Sequence, residues 1–511
     1  VAKNPKPDLV AVAAEVVDDL FEQFSGSHLW QPLDGPQVAA LESEADELFF
    51  GGAAGGGKSW LLLGAASTQH RRSIIFRREL TQLRQLIDDS RDVLDGSTAR
   101  YNGSDYVWRD IPGQRMLEWG GSEYPKDVRK YQGRAHDLKG FDEITHFTLD
   151  MYLYLSGWLR TPIPGQRTRI ICTGNPPSDV EGEWVIEYWG PWLNPEHPNP
   201  AEPGELRWFT RIDGVDTEVD GAEPFELEIE RGGQTIVETI YPRSRTFIPA
   251  RIDDNPIYLA TGYKSVLQSL GEPLRSQLLY GDFGIGLDDD QWQVIPTEWV
   301  RLAQKRWEDI HTLCEALGTE RPDVAQRALG VDVAYGGQDQ TVIAPLYGNY
   351  VDRLIKYPGT ATPDGPTTAK YVLDAHEPGA KIYIDGVGYG ASAYDQLKAV
   401  KGVTVISVNN GSKSTMRDKS GMFEFVNLRS ETFWKFREML DPESGENIAL
   451  PPDRELRVDL CTPRYKLQGG KYAVESKEDI KKRIGRSTDC GDAVLLAFRD
   501  QFRTKIISRL V

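Results

Sequence analysis

The sequence predicts an α/β protein built in two halves, on three observations. The 511 residues are enough for two or three domains, each able to bury its own core. From Glu47 to Asn175, short apolar runs (Leu48–Phe50, Ser73–Phe76, Arg169–Cys172) alternate with helical patterns, as in an open, mostly parallel sheet. A second α/β pattern starts near Arg327 and continues to the end of the chain.

Composition narrows the class. Hydrophobic residues are 40% and charged residues 27%, ordinary for a soluble protein. No apolar run reaches the roughly 18 residues a membrane-spanning helix needs, and Val1–Leu20 lacks the apolar core of a signal peptide. The four cysteines and seven histidines show no CxxC pair and no ligand spacing, which speaks against a zinc site or disulfide framework and fits a reducing compartment. The net charge of -18 weighs against a nucleic-acid partner, but a local patch is what DNA feels. Acid gathers at Asp216, Glu218, Asp220, Glu223, Glu226, Glu228 and Glu230; base gathers at Arg71–Arg84 and Lys477–Arg486.

The first half opens on its strongest signal. In "LFFGGAAGGGKSWLLLGAAS", Gly52–Ser59 fits G-x-x-x-x-G-K-S between a short apolar strand and a helix, the setting of a phosphate-binding P-loop. Gly52, Gly55, Gly56 and Gly57 let the backbone curl so that its N–H groups face phosphates, and the helix N-terminus adds positive dipole. Lys58 would reach the β- and γ-phosphates, and Ser59 would ligate Mg²⁺. Such a site needs an acidic strand end, and "LKGFDEITHF" supplies one: Asp142 for Mg²⁺ and Glu143 to polarise the attacking water. Next, "RTRIICTGNPP" puts Thr173, Gly174 and Asn175 at a strand tip, where polar groups lie beside the γ-phosphate.

Trp189–Tyr241 reads as an antiparallel excursion, and Pro249–Gln293 as a helical link. "RALGVDVAYGGQDQTVIAPLYG" then reads as a hairpin about a Gly-Gly turn, with Asp332 in its first strand. "KIYIDGVGYG" ends a strand on Asp385, and "STDCGDAVLLAF" puts Asp489 and Asp492 on one face at the start of the last helix. A buried aspartate is costly unless it is paired or binds a metal, so these positions suggest convergence on two Mg²⁺ or Mn²⁺ ions. Asp489 competes with Asp492 as ligand and is otherwise a helix N-cap; Asp339 is a possible accessory.

In this order the motifs resemble a family. "PLDGPQVAALESEADELFFGGAAGGGKS", "FDEITHF", "CTGNPP" and "FIPARIDDNP", followed by "ALGVDVAYGGQDQT", "IYIDGVGYG" and "VESKEDIKKRIGRSTDCGDAVLLAF", look like the large terminase subunit of tailed bacteriophages over roughly Trp30–Arg499. The resemblance implies a P-loop NTPase domain (RecA/ASCE-like) over 30–248, with the excursion at 189–241, then a helical linker over 249–320 and an RNase H-like nuclease domain over 321–511, after a tail over 1–29. It implies an ATP-driven motor that moves double-stranded DNA into a procapsid and cuts the concatemer. It also implies a ring on the portal protein, a small terminase subunit as partner, no membrane, and the host cell cytoplasm as location. By it Gln37 would contact adenine, Thr173–Asn175 would couple hydrolysis to movement, and Asp332, Asp385 and Asp492 would be the metal triad. Many terminases carry a basic residue inside the P-loop, but Ala53 and Ala54 stand here. The transition-state cation must come from elsewhere: Arg134 is the choice, in its own subunit or a neighbour's, with Arg77 and Arg78 as alternatives. A helicase- or repair-type ATPase-nuclease is the competing function.

Overall fold

The computed structural model describes residues 29–502 apart from 196, 213, 232–233, 285–288 and 335–338. The 1–29 tail, save its last residue, and the Gly336-Gly337 turn lie outside the described residues. The chain divides into two compact units, Val1–Gly286 and Leu287–Val511.

Ten strands organise the first unit: β1 (Glu47–Gly52), β2 (Arg72–Arg77), β3 (Arg100–Asn102), β4 (Val107–Ile111), β5 (Arg115–Gly121), β6 (Leu138–Phe141), β7 (Arg169–Gly174), β8 (Arg207–Ile212), β9 (Val215–Val219) and β12 (Arg243–Ala250). They lie in the order β3-β4-β5-β2-β6-β7-β1-β12-β8-β9. The run from β5 to β12 is parallel throughout. Parallel strands are covered on both faces and so need unbroken apolar runs; β1 is buried along its whole length. One face packs Leu61, Leu62 and Leu63 of the helix Lys58–Thr68 against Leu86 and Ile87. An aromatic cluster built on Phe49, Phe141, Tyr152, Trp184 and Trp189 forms the other core.

The parallel strands end on one edge, which gathers Gly52, Arg77, Asp142 and Asn175. β7 stands between β1 and the acidic strand β6, the RecA-like order. Within the 189–241 excursion, β8 joins the main sheet antiparallel to β12 and β9 antiparallel to β8, whereas β10 (Phe225–Arg231) and β11 (Gln234–Ile240) form a two-stranded sheet of their own. The 249–320 stretch is shared between the units: helices Pro256–Ala260 and Tyr263–Gln268 belong to the first, and helix Thr297–Ala316 to the second.

In the second unit, β13 (Gln326–Asp332), β14 (Gln340–Tyr347), β15 (Tyr350–Val351), β16 (Ile355–Pro358), β17 (Lys381–Asp385) and β18 (Thr404–Val408) form a sheet in the order β15-β14-β13-β17-β18, with β16 beside β14. β13 and β14 are antiparallel, and β13, β17 and β18 are parallel, an RNase H-like arrangement. Helix Asp489–Ala497 lies directly on β13. A Cβ on Gly330 would come within 1.9 Å of the Ala493 carbonyl oxygen, so only glycine permits this approach. Leu329, Val331, Ile382 and Ile384 turn to the core on the opposite face. No described helix is long and apolar enough to cross a membrane.

Candidate active sites

At the nucleotide site, Gly57 ends the glycine-rich loop in a left-handed conformation (φ 75°) and caps the helix Lys58–Thr68. A Cβ there would lie 2.4 Å from Gln37 Nε2. Gln37 is buried and donates that Nε2 to the Gly57 carbonyl (2.9 Å), while its Oε1 accepts from Leu33 N–H. Thus Gln37 holds the loop backbone. Gly52 and Gly56 press on Ala250 and Gly55 on Tyr263, and Asn255 donates to the Gly55 carbonyl (2.8 Å). The sequence reading missed Asn255, although an Asn-Pro at a helix start was the available signal.

Lys58 is buried and donates to Ala53 O and to Asn175 Oδ1 (2.8 Å). Burial pushes its ammonium down to about 8, against the pull of Glu143 and Asp142. Ser59 Oγ donates to Asp142 Oδ1 (3.1 Å), and Thr173 Oγ1 donates to the same oxygen (2.6 Å). Glu143 takes a left-handed backbone (φ 54°), uncommon for a non-glycine residue, and accepts from the Asn175 backbone N–H (3.3 Å). The structure therefore brings Lys58, Ser59, Asp142, Glu143, Thr173 and Asn175 together. Ser59 and Asp142 supply the hard oxygen ligands that Mg²⁺ takes.

The arginines separate. Arg77, at the tip of β2, makes a double contact with Asp142 Oδ2 (Nε 2.7 Å, NH2 2.6 Å). Arg134 pairs with Glu118 (3.2 Å) and lies over the Tyr131 ring. Arg78 points its guanidinium to the Met151 sulfur. Among the described contacts, only Arg77 of the three candidates joins the acidic pair.

In the second unit, Val331 pairs with Ile384, so Asp332 and Asp385 follow side by side on adjacent strands. Helix Asp489–Ala497 adds Asp489 and Asp492. Lys477, first residue of the helix Lys477–Ile484, puts its ammonium 2.8 Å from Asp332, 3.1 Å from Asp489 and 3.0 Å from Asp492. That position and charge resemble those of a bound cation, and the surrounding donors are hard carboxylate oxygens, so the residues fit Mg²⁺ or Mn²⁺. Burial and the neighbouring Asp492 and Asp489 push the Asp332 carboxyl well above its ordinary value, despite Lys477. Burial raises Asp492 too, but Lys477 and Arg429 together bring it below the ordinary value; Arg429 donates to it at 2.9 Å. Asp385 accepts from Val387 N–H (3.1 Å), and burial raises its carboxyl.

Two expectations need correcting. Asp489 is not the N-cap: Thr488 takes that position, and Asp489 is the first helical residue, its Oδ2 accepting from Gln340 N–H (3.0 Å). Nor is the 477–486 run a basic surface throughout: Lys477 leaves it, while Lys482 stays 71% exposed. Lys477 enters the carboxylate cluster, Lys481 pairs with Asp339, Lys482 with Asp479, Arg483 with Glu475 and Arg486 with Asp459. Asp339 thus serves Lys481 at the edge of the site. Lys477 and Lys481 are four apart and share one helix face, which was the signal for their common direction.

No family model matches the chain, and no curated protein does. Among solved structures it is similar to the large terminase of a thermophilic bacteriophage, at 13% identity and TM-score 0.34, covering 92% of this chain and 100% of that one. It is also similar to the nuclease domain of the large terminase subunit gp2 of bacterial virus Sf6, at 16% identity and TM-score 0.32, covering 40% of this chain and 97% of that one. The large terminase nuclease of a second thermophilic phage matches at 18% identity and TM-score 0.25, covering 35% of this chain and 83% of that one. At these identities and scores, the chemistry of the two sites, not the likeness, carries the functional reading.

Proposed function

We propose that the chain is a DNA-packaging motor: an ATPase that drives double-stranded DNA into a procapsid, joined to a metal-dependent endonuclease that cuts the concatemer. What carries the reading is one chain holding a P-loop with its acidic pair in one unit and a cluster of four aspartates on an RNase H-like sheet in the other. In the first site, Lys58 and the loop N–H groups hold the phosphates of ATP, with Ser59 and Asp142 holding Mg²⁺. Glu143 orients the attacking water, and its link through Asn175 to Lys58 lets the strand tip sense loss of the γ-phosphate. Gln37 steadies the loop and lies beside the adenine. Arg77 is the cation of the same chain, and Arg134 serves a neighbouring copy in a ring.

In the second site, Asp332, Asp385, Asp489 and Asp492 hold two Mg²⁺ or Mn²⁺ ions. When bound, such a pair would supply Lewis-acid activation of a phosphodiester. Arg429 and Thr488 fix the Asp492 carboxylate, and Lys477 balances the cluster's charge. The domain limits follow the same reading: a motor domain over 30–248 and a nuclease over 321–511, with 249–320 between them shared by the two units. Duplex DNA, a portal protein, a small terminase subunit and other copies of the chain are the partners, in the host cytoplasm. The test is filling of portal-bearing procapsids by the purified chain, its small subunit, ATP and linear DNA. DNase-protected DNA that requires ATP and is lost with Glu143→Gln is expected. Robust ATPase and cleavage without any protected DNA would favour a repair-type ATPase-nuclease.

A further inference from the structure

The helix that carries Asp489 and Asp492 lacks a cap of its own. Its N-cap residue, Thr488, makes no side-chain cap; instead its hydroxyl donates to Asp492 Oδ2 (2.9 Å). The first-turn N–H groups of a helix need an acceptor from somewhere. A neighbouring helix, Arg454–Cys461, provides it. Asp459 on that helix is fully buried, and its Oδ2 accepts from the Gly491 N–H (3.1 Å), between the two site aspartates. The helices come close at this point: a Cβ on Gly491 would lie 2.8 Å from Asp459 Cβ and 3.3 Å from its carbonyl carbon. Arg486 holds the other oxygen, Asp459 Oδ1, at 2.6 Å and also donates to the Ser487 and Glu455 carbonyls, fixing the turn that leads into the helix.

We infer that Asp459 is a positioning residue for the nuclease site, an external cap that sets Asp489 and Asp492 in register for divalent cations. The inference rests on the nuclease reading. The contact is geometric: the Asp459 oxygen takes up a first-turn N–H that Thr488 leaves open. Thr488 is thereby left to orient Asp492, and one residue need not do both tasks. Outer partners of this kind change metal affinity, not only fold stability.

The test uses the full chain and Mn²⁺ alone as probe. Mn²⁺ binding is measured without DNA by electron paramagnetic resonance, the Mn²⁺ midpoint for plasmid cleavage is titrated, and thermal unfolding and ATPase are followed alongside. Asp459→Ala should raise the Mn²⁺ midpoint about tenfold or more and leave ATPase unchanged. Gly491→Ala keeps every charge but forces the helices apart, and should raise the midpoint likewise; it decides the matter if Asp459→Ala does not fold. Asp459→Asn keeps an oxygen for the Gly491 N–H but turns its NH2 to Arg486, so its midpoint should fall between those of wild type and Asp459→Ala. Wild-type midpoints in Asp459→Ala or Gly491→Ala, or an Asp459→Asn midpoint raised as far as that of Asp459→Ala, would overturn the cap. A wild-type chain that neither binds Mn²⁺ nor cuts overturns the nuclease reading, and the cap with it.

Discussion

Arg77 and Arg134 divide what a guanidinium can do for a nucleotide. Arg77 bonds Asp142 inside its own chain, so Arg77→Ala should slow ATP hydrolysis by the monomer at least about tenfold. Arg134 is half exposed and engaged with Glu118. Its replacement by Ala should therefore leave monomer ATPase within about twofold and lower only the rate of the assembled ring, on the transition-state role of an arginine supplied in trans. Rates measured with and without procapsids separate the two. Lys139 carries another residue-scale consequence. It lies in β6 with no exposure, its Nζ 5.7 Å from the Phe76 ring centre, and burial pushes it down to about 8. Below that pH the fold holds a costly buried charge. As pH rises from about 8 towards 10.5, the folded chain sheds a proton that the unfolded chain keeps, so stability rises. Lys139→Met should therefore stabilise the first unit by about 1–3 kcal/mol at pH 7, with the gain shrinking towards pH 10. Thermal unfolding at pH 7 and 10 checks it; a gain that grows with pH would contradict it.

At the scale of elements, the β10–β11 hairpin belongs to neither core of its unit, and Val237 is 61% exposed. Replacing residues 222–241 with a short Gly-Ser link should leave basal ATPase within about twofold and unfolding nearly unchanged, as expected for an exposed excursion. Loss of ATPase would mean that the hairpin supports the sheet. The elements differ in how openly the sequence announces them. The P-loop is legible because its groups are consecutive: the backbone that binds phosphate is also the stretch that spells the motif. The acidic strand was legible only by that requirement, since Lys139 breaks its apolar run. Arg77 on Asp142, Lys477 among the aspartates and Asp459 under Gly491 are contacts between distant segments, which no local period encodes. The basic run at 477–486 misled at Lys477 for the same reason, because a charge run reads as solvated until its acidic partners on other elements are known. Asp489 was misplaced by one residue: Ser487, Thr488 and Asp489 are all good caps, and only the backbone decides among them.

For the molecule as a whole, a net charge of -18 goes with two compact units whose candidate sites each pair cations with acids. Lys58 and Arg77 face Asp142 and Glu143; Lys477 and Arg429 face the aspartate cluster. Each candidate site gathers described residues of a single unit, and the two chemistries should separate by single substitutions. The direct test measures ATP hydrolysis and Mn²⁺-dependent plasmid cleavage side by side in wild type, Lys58→Ala and Asp332→Asn. Wild type should do both, Lys58→Ala should cut without hydrolysing ATP, and Asp332→Asn should hydrolyse ATP without cutting. Loss of both activities together in either variant, or a wild-type chain that neither hydrolyses ATP nor cuts DNA, would contradict a two-site motor.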